Sequence, residues 1–197
     1  MGTVATRPPT IVLASASPRR RELLARLGLP FEVRPAAAEE RLRAGEAPRQ
    51  AAARLAAAKA GAVAADWVVA ADTVVEVDGR ALGKPRDAAE NARFLRLLSG
   101  RSHRVHTGLA VRSPAGAEDL VVTTRVRFRD LADWEIEAYA RSGEGLDKAG
   151  GYGIQEKGMM LVEAIEGDFF TVMGLPVARL WEALDRLGYP LEEAWRA

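Results

Sequence analysis

Trp67-Val68-Val69-Ala70-Ala71-Asp72-Thr73-Val74-Val75-Glu76-Val77 is the most strand-like run in this chain. It is almost continuously apolar and rich in β-branched residues, and Asp78-Gly79 behind it suits a tight hairpin turn. Working back from it, Pro48 opens an alanine-rich helix to about Ala65, with Lys59 in its later turns. Further upstream, Ile11 to Ala14 reads as a short buried strand that enters a turn at Ser15-Ala16-Ser17. Ser17-Pro18 then supplies an N-cap and a proline at the first helical position. Leu23, Leu24 and Leu27 form the apolar stripe of that helix, Gly28 stops it, and Phe31 to Arg34 gives a second strand.

Downstream, Asp87 caps a helix carrying Phe94, Leu95 and Leu98. Two β-rich stretches follow, around Val105–Val111 and Leu120–Phe128, joined through Ser113-Pro114-Ala115-Gly116. Asp133 is expected to cap a short helix through Tyr139. Gly143 to Gly153 is a glycine-rich loop whose backbone can approach a ligand closely. Met159 to Ile165 reads as a strand, and Pro176 to Leu187 as the last amphipathic helix. Strands and helices interleave with no repeat or linker, so the expected class is α/β with a mixed sheet. One domain over residues 1–197 is expected, with residues 1–9 a flexible N-terminus.

The chain has 197 residues, 48% hydrophobic and 28% charged, a profile that closes a hydrophobic core. Its 28 basic and 27 acidic residues leave a formal charge of +1. That balance argues against general nucleic-acid binding, which calls for a large basic excess. No apolar run approaches the ~18 residues of a membrane helix, and the first ten residues lack the apolar core of a signal peptide. A cytoplasmic protein is expected. Cysteine is absent, which excludes disulfides, thiolate metal sites and cysteine nucleophiles. The two histidines, His103 and His106, fall on opposite faces of a strand-like stretch, which disfavours a shared metal. Any metal would be held mainly by oxygen, which points to magnesium or manganese. Four lysines (Lys59, Lys84, Lys148, Lys157) stand against an arginine-dominated background, which weights each toward a specific task.

Four segments carry candidate chemistry. Ser15-Ala16-Ser17-Pro18-Arg19-Arg20-Arg21 puts three cations at a helix N-terminus, where the backbone already carries partial positive charge. A phosphate chain resolves that conflict, held by backbone N–H groups, hydroxyls and guanidinium forks; the alternative is a solvated basic turn. Asp72, within an apolar strand, is costly to bury unless it is paired or ligates a cation. It reads as a metal ligand or a general base, or else as a structural acid. Asp72 and Thr73 alternate across a regular strand, so both reach one ligand only if the strand bends or ends there. Leu82-Gly83-Lys84-Pro85 offers a flexible cation to a phosphate oxygen, although no P-loop pattern is present. In Asp147-Lys148-Ala149-Gly150-Gly151-Tyr152-Gly153-Ile154-Gln155, Tyr152 can pack on a ligand and Gln155 offers a donor and an acceptor for a base edge.

Together with Leu98-Ser99-Gly100 and Gly174-Leu175-Pro176, these segments resemble the Maf family of nucleoside triphosphate pyrophosphatases, in family order from about residue 11 to 187. The resemblance implies an elongated Maf/ITPase-like α/β fold, with a central mixed, twisted sheet flanked by helices and a nucleotide cleft. It implies a cytoplasmic, divalent-metal-dependent enzyme, commonly a homodimer, that cleaves a nucleoside triphosphate between its α and β phosphates. The Ala-Asp-Thr and Gly-Tyr-Gly-Ile-Gln forms resemble the dTTP/UTP-hydrolysing branch. By that match Asp72 is the proton acceptor, and Arg19, Thr73 and Gln155 help select the substrate. Ser15, Arg20, Lys59, Lys84 and Lys148 fall where family members line the phosphate site. Pro35-Ala36-Ala37-Ala38-Glu39-Glu40 replaces the family's hydrophobic-Asp-Glu ending, with Glu40 the expected second metal ligand beside Asp72 and Glu39 the alternative. Cleavage of another modified nucleotide such as 7-methyl-GTP, or a non-catalytic role in restraining cell division, are the competing functions.

Overall fold

The computed structural model describes residues 8–38 and 41–196. Seven strands form one mixed sheet: β1 (Ile11–Leu13), β2 (Phe31–Val33), β3 (Val68–Val77), β4 (Arg80–Leu82), β5 (Ser102–Ser113), β6 (Gly116–Phe128) and β7 (Val162–Glu166). Their spatial order is β2-β1-β3-β5-β6-β7, with β4 also paired to β3. β1 runs parallel to β2 and β3, and the other pairs are antiparallel. The helices are α1 (Pro18–Arg26), α2 (Pro48–Gly61), α3 (Ala88–Leu98), α4 (Asp133–Ser142), α5 (Phe169–Met173), α6 (Val177–Arg186) and α7 (Leu191–Arg196). The expected α/β class with a mixed sheet is what the chain adopts.

The apolar run around Asp72 is central because both of its faces are covered. One face, carrying Val68, Ala70 and Val74, meets the alanines of α2 (Ala51, Ala52, Ala56, Ala60). Small side chains allow a close approach there. A Cβ on Gly108, the β5 partner of Asp72, would lie 2.1 Å from the Ala52 carbonyl oxygen, so only glycine lets α2 sit this near. The opposite face is covered by two apolar clusters. Leu23 and Leu24 of α1 and Leu180 and Leu184 of α6 pack on Val69, Ala71 and Leu109. Leu95 and Leu98 of α3 and Ile136 of α4 pack around Val75, Val105 and Phe128.

One edge of β3 is paired with β5 from Val68 to Glu76. The other edge meets β1 only at Val68 and Val69, and β4 only from Val75 to Val77. Between these contacts β3 has no strand neighbour on that side among the described residues, and Asp72 and Thr73 lie in the gap.

Several local expectations shift. The α4 cap position is Ala132, not Asp133; Glu135 reaches back to the Ala132 N–H at 2.9 Å, leaving Asp133 in the first turn. The strand expected from Met159 starts at Val162, because residues 157–161 form 3-10 turns whose Gly158 N–H is held by Glu144. Pro176 to Leu187 is not the last helix, since α7 follows with Leu191 and Ala194 buried. The one-turn α5 was unforeseen: its Phe-Phe-Thr-Val-Met composition favours a strand, but Asp168 caps two of its N–H groups and left-handed Gly174 ends it. Residues 1–7 of the expected flexible N-terminus lie outside the described residues, while the Pro9 carbonyl accepts a hydrogen bond from Tyr189 at 2.6 Å.

Candidate active site

The gap beside β3 opens into a cavity of about 530 Å³. It lies past the carboxyl end of β1, which is where ligands sit in open α/β sheets with parallel strands. Ser15, Arg19, Arg20, Lys59, Asp72, Thr73, Lys84, Lys148 and Gln155 all line it. Glu39 and Glu40 lie outside the described residues. Arg21 is exposed and does not line the cavity, and of the four lysines Lys157 alone stays away.

β3 neither bends nor ends at Asp72; its neighbour β1 ends instead. Side chains from opposite faces of a regular strand therefore reach one cavity over the same open edge, which corrects the condition set by the sequence reading. On the α2 face, Lys59 donates to Asp72 Oδ1 at 2.5 Å, and both residues are buried. A carboxylate there is tolerable only with such a cation, since an unpaired buried charge costs several kcal/mol on the order of 3–5.

On the other face, buried Arg20 anchors three donors: Nε to the Gly174 carbonyl at 2.8 Å, Nη1 to Ser15 Oγ at 3.2 Å and Nη2 to Thr73 Oγ1 at 3.2 Å. The first turn of α1 contains no acidic residue, and Ser17 Oγ caps it by accepting from the Arg20 N–H. Gly174 makes this convergence possible: a Cβ there would sit 3.2 Å from Thr73 Oγ1 and 3.4 Å from Arg20 Nε.

The glycine-rich loop closes the far wall. The Gly150 N–H donates to the Gly83 carbonyl at 3.0 Å, which ties this loop to the Lys84 segment. Asp147, for which sequence pattern alone suggests no role, bridges Arg19 at 3.3 Å and Lys148 at 2.7 Å. Partial burial alone would raise its carboxyl, but the Lys148 hydrogen bond and the Arg19 and Lys148 charges outweigh that and hold it below the usual range. Its adjacency to Lys148 in a glycine-rich loop was the available signal. Tyr139 and Glu144, also unforeseen, brace the segment bearing Gln155. Tyr139 Oη accepts from the Gly153 N–H at 3.1 Å, and Glu144 accepts from Lys157 N–H and Gly158 N–H at 3.0 Å each.

His103 and His106 diverge as expected. His103 meets the Tyr152 hydroxyl at 2.6 Å beside Phe128, and burial lowers its pKa to about 4. His106 lies between Glu76 and Thr123. Among the described residues no three His, Asp or Glu side chains gather as a metal cluster. Asp72 is still a hard oxygen donor, and magnesium commonly needs only one or two carboxylates once substrate phosphates and water complete its shell. Among the described residues lining the cavity, five cations (Arg19, Arg20, Lys59, Lys84, Lys148) face two carboxylates. That excess draws a polyanion into a confined, partly apolar space.

No helix among the described residues is long and apolar enough to cross a membrane. The family model described as Maf-like protein matches residues 10–187. A Thermus thermophilus protein named dTTP/UTP pyrophosphatase is 52% identical over 92% of this chain and 96% of its own length. Proteins of the same name from Deinococcus radiodurans (50% identical, 91% of this chain and 94% of its own length) and Myxococcus xanthus (51%, 95% and 96%) are comparably similar. Among solved structures, the Staphylococcus aureus Ham1 protein overlaps 64% of this chain and 73% of its own, with TM-score 0.44 and 19% identity. The match of the family model from just before β1 to the end of α6, with half the residues shared with each of those relatives, means that this chain belongs to the Maf-like family.

Proposed function

We propose that this chain is a nucleoside triphosphate pyrophosphatase that hydrolyses dTTP and UTP to the monophosphate and diphosphate. The observation that carries the reading is the meeting of buried Asp72 with five cationic side chains in one cavity. The relatives named above, at about half identity over nearly the whole chain, support the choice of substrate.

In this mechanism a water attacks the α-phosphorus in line with the bridging oxygen to the β-phosphorus. The new P–O bond forms as the Pα–O–Pβ bond breaks, and diphosphate leaves. Lys59 holds Asp72 Oδ1, so the second carboxylate oxygen is the one that takes the water proton. Arg19, Arg20, Lys84 and Lys148 bind the phosphate chain and offset the charge that moves onto the departing diphosphate. Thr73 and Gln155 discriminate the base, with Arg19 contributing to substrate choice. A divalent cation, magnesium or manganese, fits the oxygen donor of Asp72, with Glu40 the proposed second ligand and Glu39 its alternative; when bound it supplies charge neutralisation on the phosphates. A cytoplasmic location and a homodimer belong to the same proposal, and light scattering in solution checks the dimer.

The test is diphosphate release by the purified chain from a panel of canonical and modified triphosphates, run with magnesium, manganese and no metal. Turnover concentrated on dTTP and UTP is expected. Preference for 7-methyl-GTP would overturn the substrate, and no turnover with any metal would favour a non-catalytic role.

A further inference from the structure

Thr107 sits on β5 as the register partner of Thr73 and is fully buried. Its hydroxyl donates to the Thr171 carbonyl at 2.7 Å. A carbonyl oxygen only accepts, so the single proton of Thr107 is committed there. The two threonine hydroxyls are 2.9 Å apart. With no proton left on Thr107 Oγ1, Thr73 is the donor in that pair. Arg20 Nη2 then donates to Thr73 Oγ1 at 3.2 Å. The chain of hydrogen bonds thus runs one way, from the Arg20 guanidinium through both hydroxyls to the backbone of α5. A hydroxyl has one proton and two lone pairs. Thr73 has spent its proton and one lone pair, and keeps one lone pair for whatever enters the cavity. Val75, Val105, Tyr152, Ile154 and Met173 line the same cavity and offer apolar walls for a planar ring.

We propose that Thr107 is a positioning residue for nucleotide selectivity, which fixes Thr73 as a pure acceptor toward the cavity and so favours a base presenting a neutral ring N–H. This deepens the pyrophosphatase reading and rests on it. The imide N3–H of thymine or uracil meets the requirement. Cytosine, of the same size, carries a lone pair at N3 and sets acceptor against acceptor. Leaving a buried polar atom unmatched is what makes hydrogen-bonding sites reject such analogues strongly. A sugar hydroxyl is the other donor on the nucleotide with the same chemistry, and the experiment separates the two.

The experiment compares kcat/KM for dTTP and dCTP in the wild-type chain, Thr107→Val and Thr107→Ser. Valine keeps the shape of Thr107 but frees the Thr73 proton to turn into the cavity. The dTTP-to-dCTP ratio is expected to fall about tenfold in Thr107→Val and to stay near the wild-type value in Thr107→Ser. A packing defect alone lowers both nucleotides together, and an unchanged ratio in Thr107→Val overturns the proposal. A second measurement does not require that variant to fold. N3-methyl-dTTP and 2′,3′-dideoxy-TTP are compared with dTTP in the wild-type chain and in Thr73→Val. N-methylation is expected to penalise the wild-type chain far more than Thr73→Val, and equal penalties overturn the assignment. A penalty that follows the missing 3′-hydroxyl instead makes the sugar the donor and overturns it as well. A wild-type chain that turns over neither dTTP nor UTP defeats the underlying reading and this inference with it, whereas turnover with unchanged ratios defeats this inference alone.

Discussion

Asp72→Asn separates chemistry from folding because of how the carboxylate is held. The side chain keeps its size, and the asparagine carbonyl oxygen can still accept from Lys59 Nζ, now 2.5 Å from Asp72 Oδ1. What disappears is one negative charge and the capacity to take a proton. The Lys59 ammonium stays buried and loses the Asp72 countercharge, and removing one partner of a buried ion pair costs about 3–5 kcal/mol. For a chain of this length each kcal/mol moves the melting temperature by about 2–4 °C. A fall of about 6–20 °C is expected, against a total stability of roughly 5–15 kcal/mol. The variant is therefore assayed below its own measured melting temperature, where it is folded. Removing the proton acceptor lowers turnover by about 10²–10⁴-fold, far beyond what that stability loss explains. The assay is diphosphate release from dTTP with magnesium, beside a thermal melt of the same preparation. Turnover within tenfold of wild type, in a chain melting as calculated, would refute the assignment of Asp72 as the base.

Gly108→Ala forces a Cβ to 2.1 Å from the Ala52 carbonyl oxygen; calorimetry should show a loss of about 2–3 kcal/mol or more, with activity down about 10²-fold as α2 draws Lys59 from Asp72. Glu144→Ala removes the acceptor for Lys157 N–H, Gly158 N–H and the Tyr139 hydroxyl. It should cost about 2–3 kcal/mol and speed amide exchange at residues 157 and 158, and unchanged protection there would contradict the bracing role. His103 stays neutral in the folded chain, with its pKa lowered by burial to about 4, while the unfolded side chain takes up a proton near pH 6.5. Between those values the unfolded state binds the extra proton, so stability falls as pH drops from about 6.5 to 4, by up to about 3 kcal/mol. His103→Gln should flatten the melting-temperature profile across that window; an unaltered slope would show that another group governs it.

Local signals in the sequence reached as far as local physics reaches. Ser17-Pro18 marked α1 because capping and a fixed proline φ act within a few residues, and the apolar run from Trp67 marked β3 because both of its faces are buried. α5 was hidden because its aromatic and β-branched residues favour a strand, while the capping carboxylate of Asp168 and the left-handed Gly174 that override them are single residues. Asp147 was hidden as a bridge because Arg19, its partner, lies 128 residues away. Thr107 gave no signal, since a threonine in a strand is ordinary until its hydroxyl is placed between another hydroxyl and a carbonyl.

The same distinction explains how the cavity arises. Sequence periodicity assigns Asp72 and Thr73 to opposite faces, and on a fully paired strand they would serve different compartments. They share one because β1 pairs with β3 only as far as Val69 and β4 begins only at Val75. The open edge lets the α2 face deliver a carboxylate with its ammonium partner, and the α1 face deliver a guanidinium with its hydroxyl chain. Proton transfer and base discrimination are thereby kept on different sides of one strand, joined only by a peptide bond. A change on one side can then alter selectivity without disturbing proton transfer on the other, and this is why the nucleotide ratio in Thr107→Val and the turnover in Asp72→Asn are expected to move independently. If the two substitutions, combined in one chain, changed the nucleotide ratio by an amount different from Thr107→Val alone, the two faces would be coupled and that division of labour would fail.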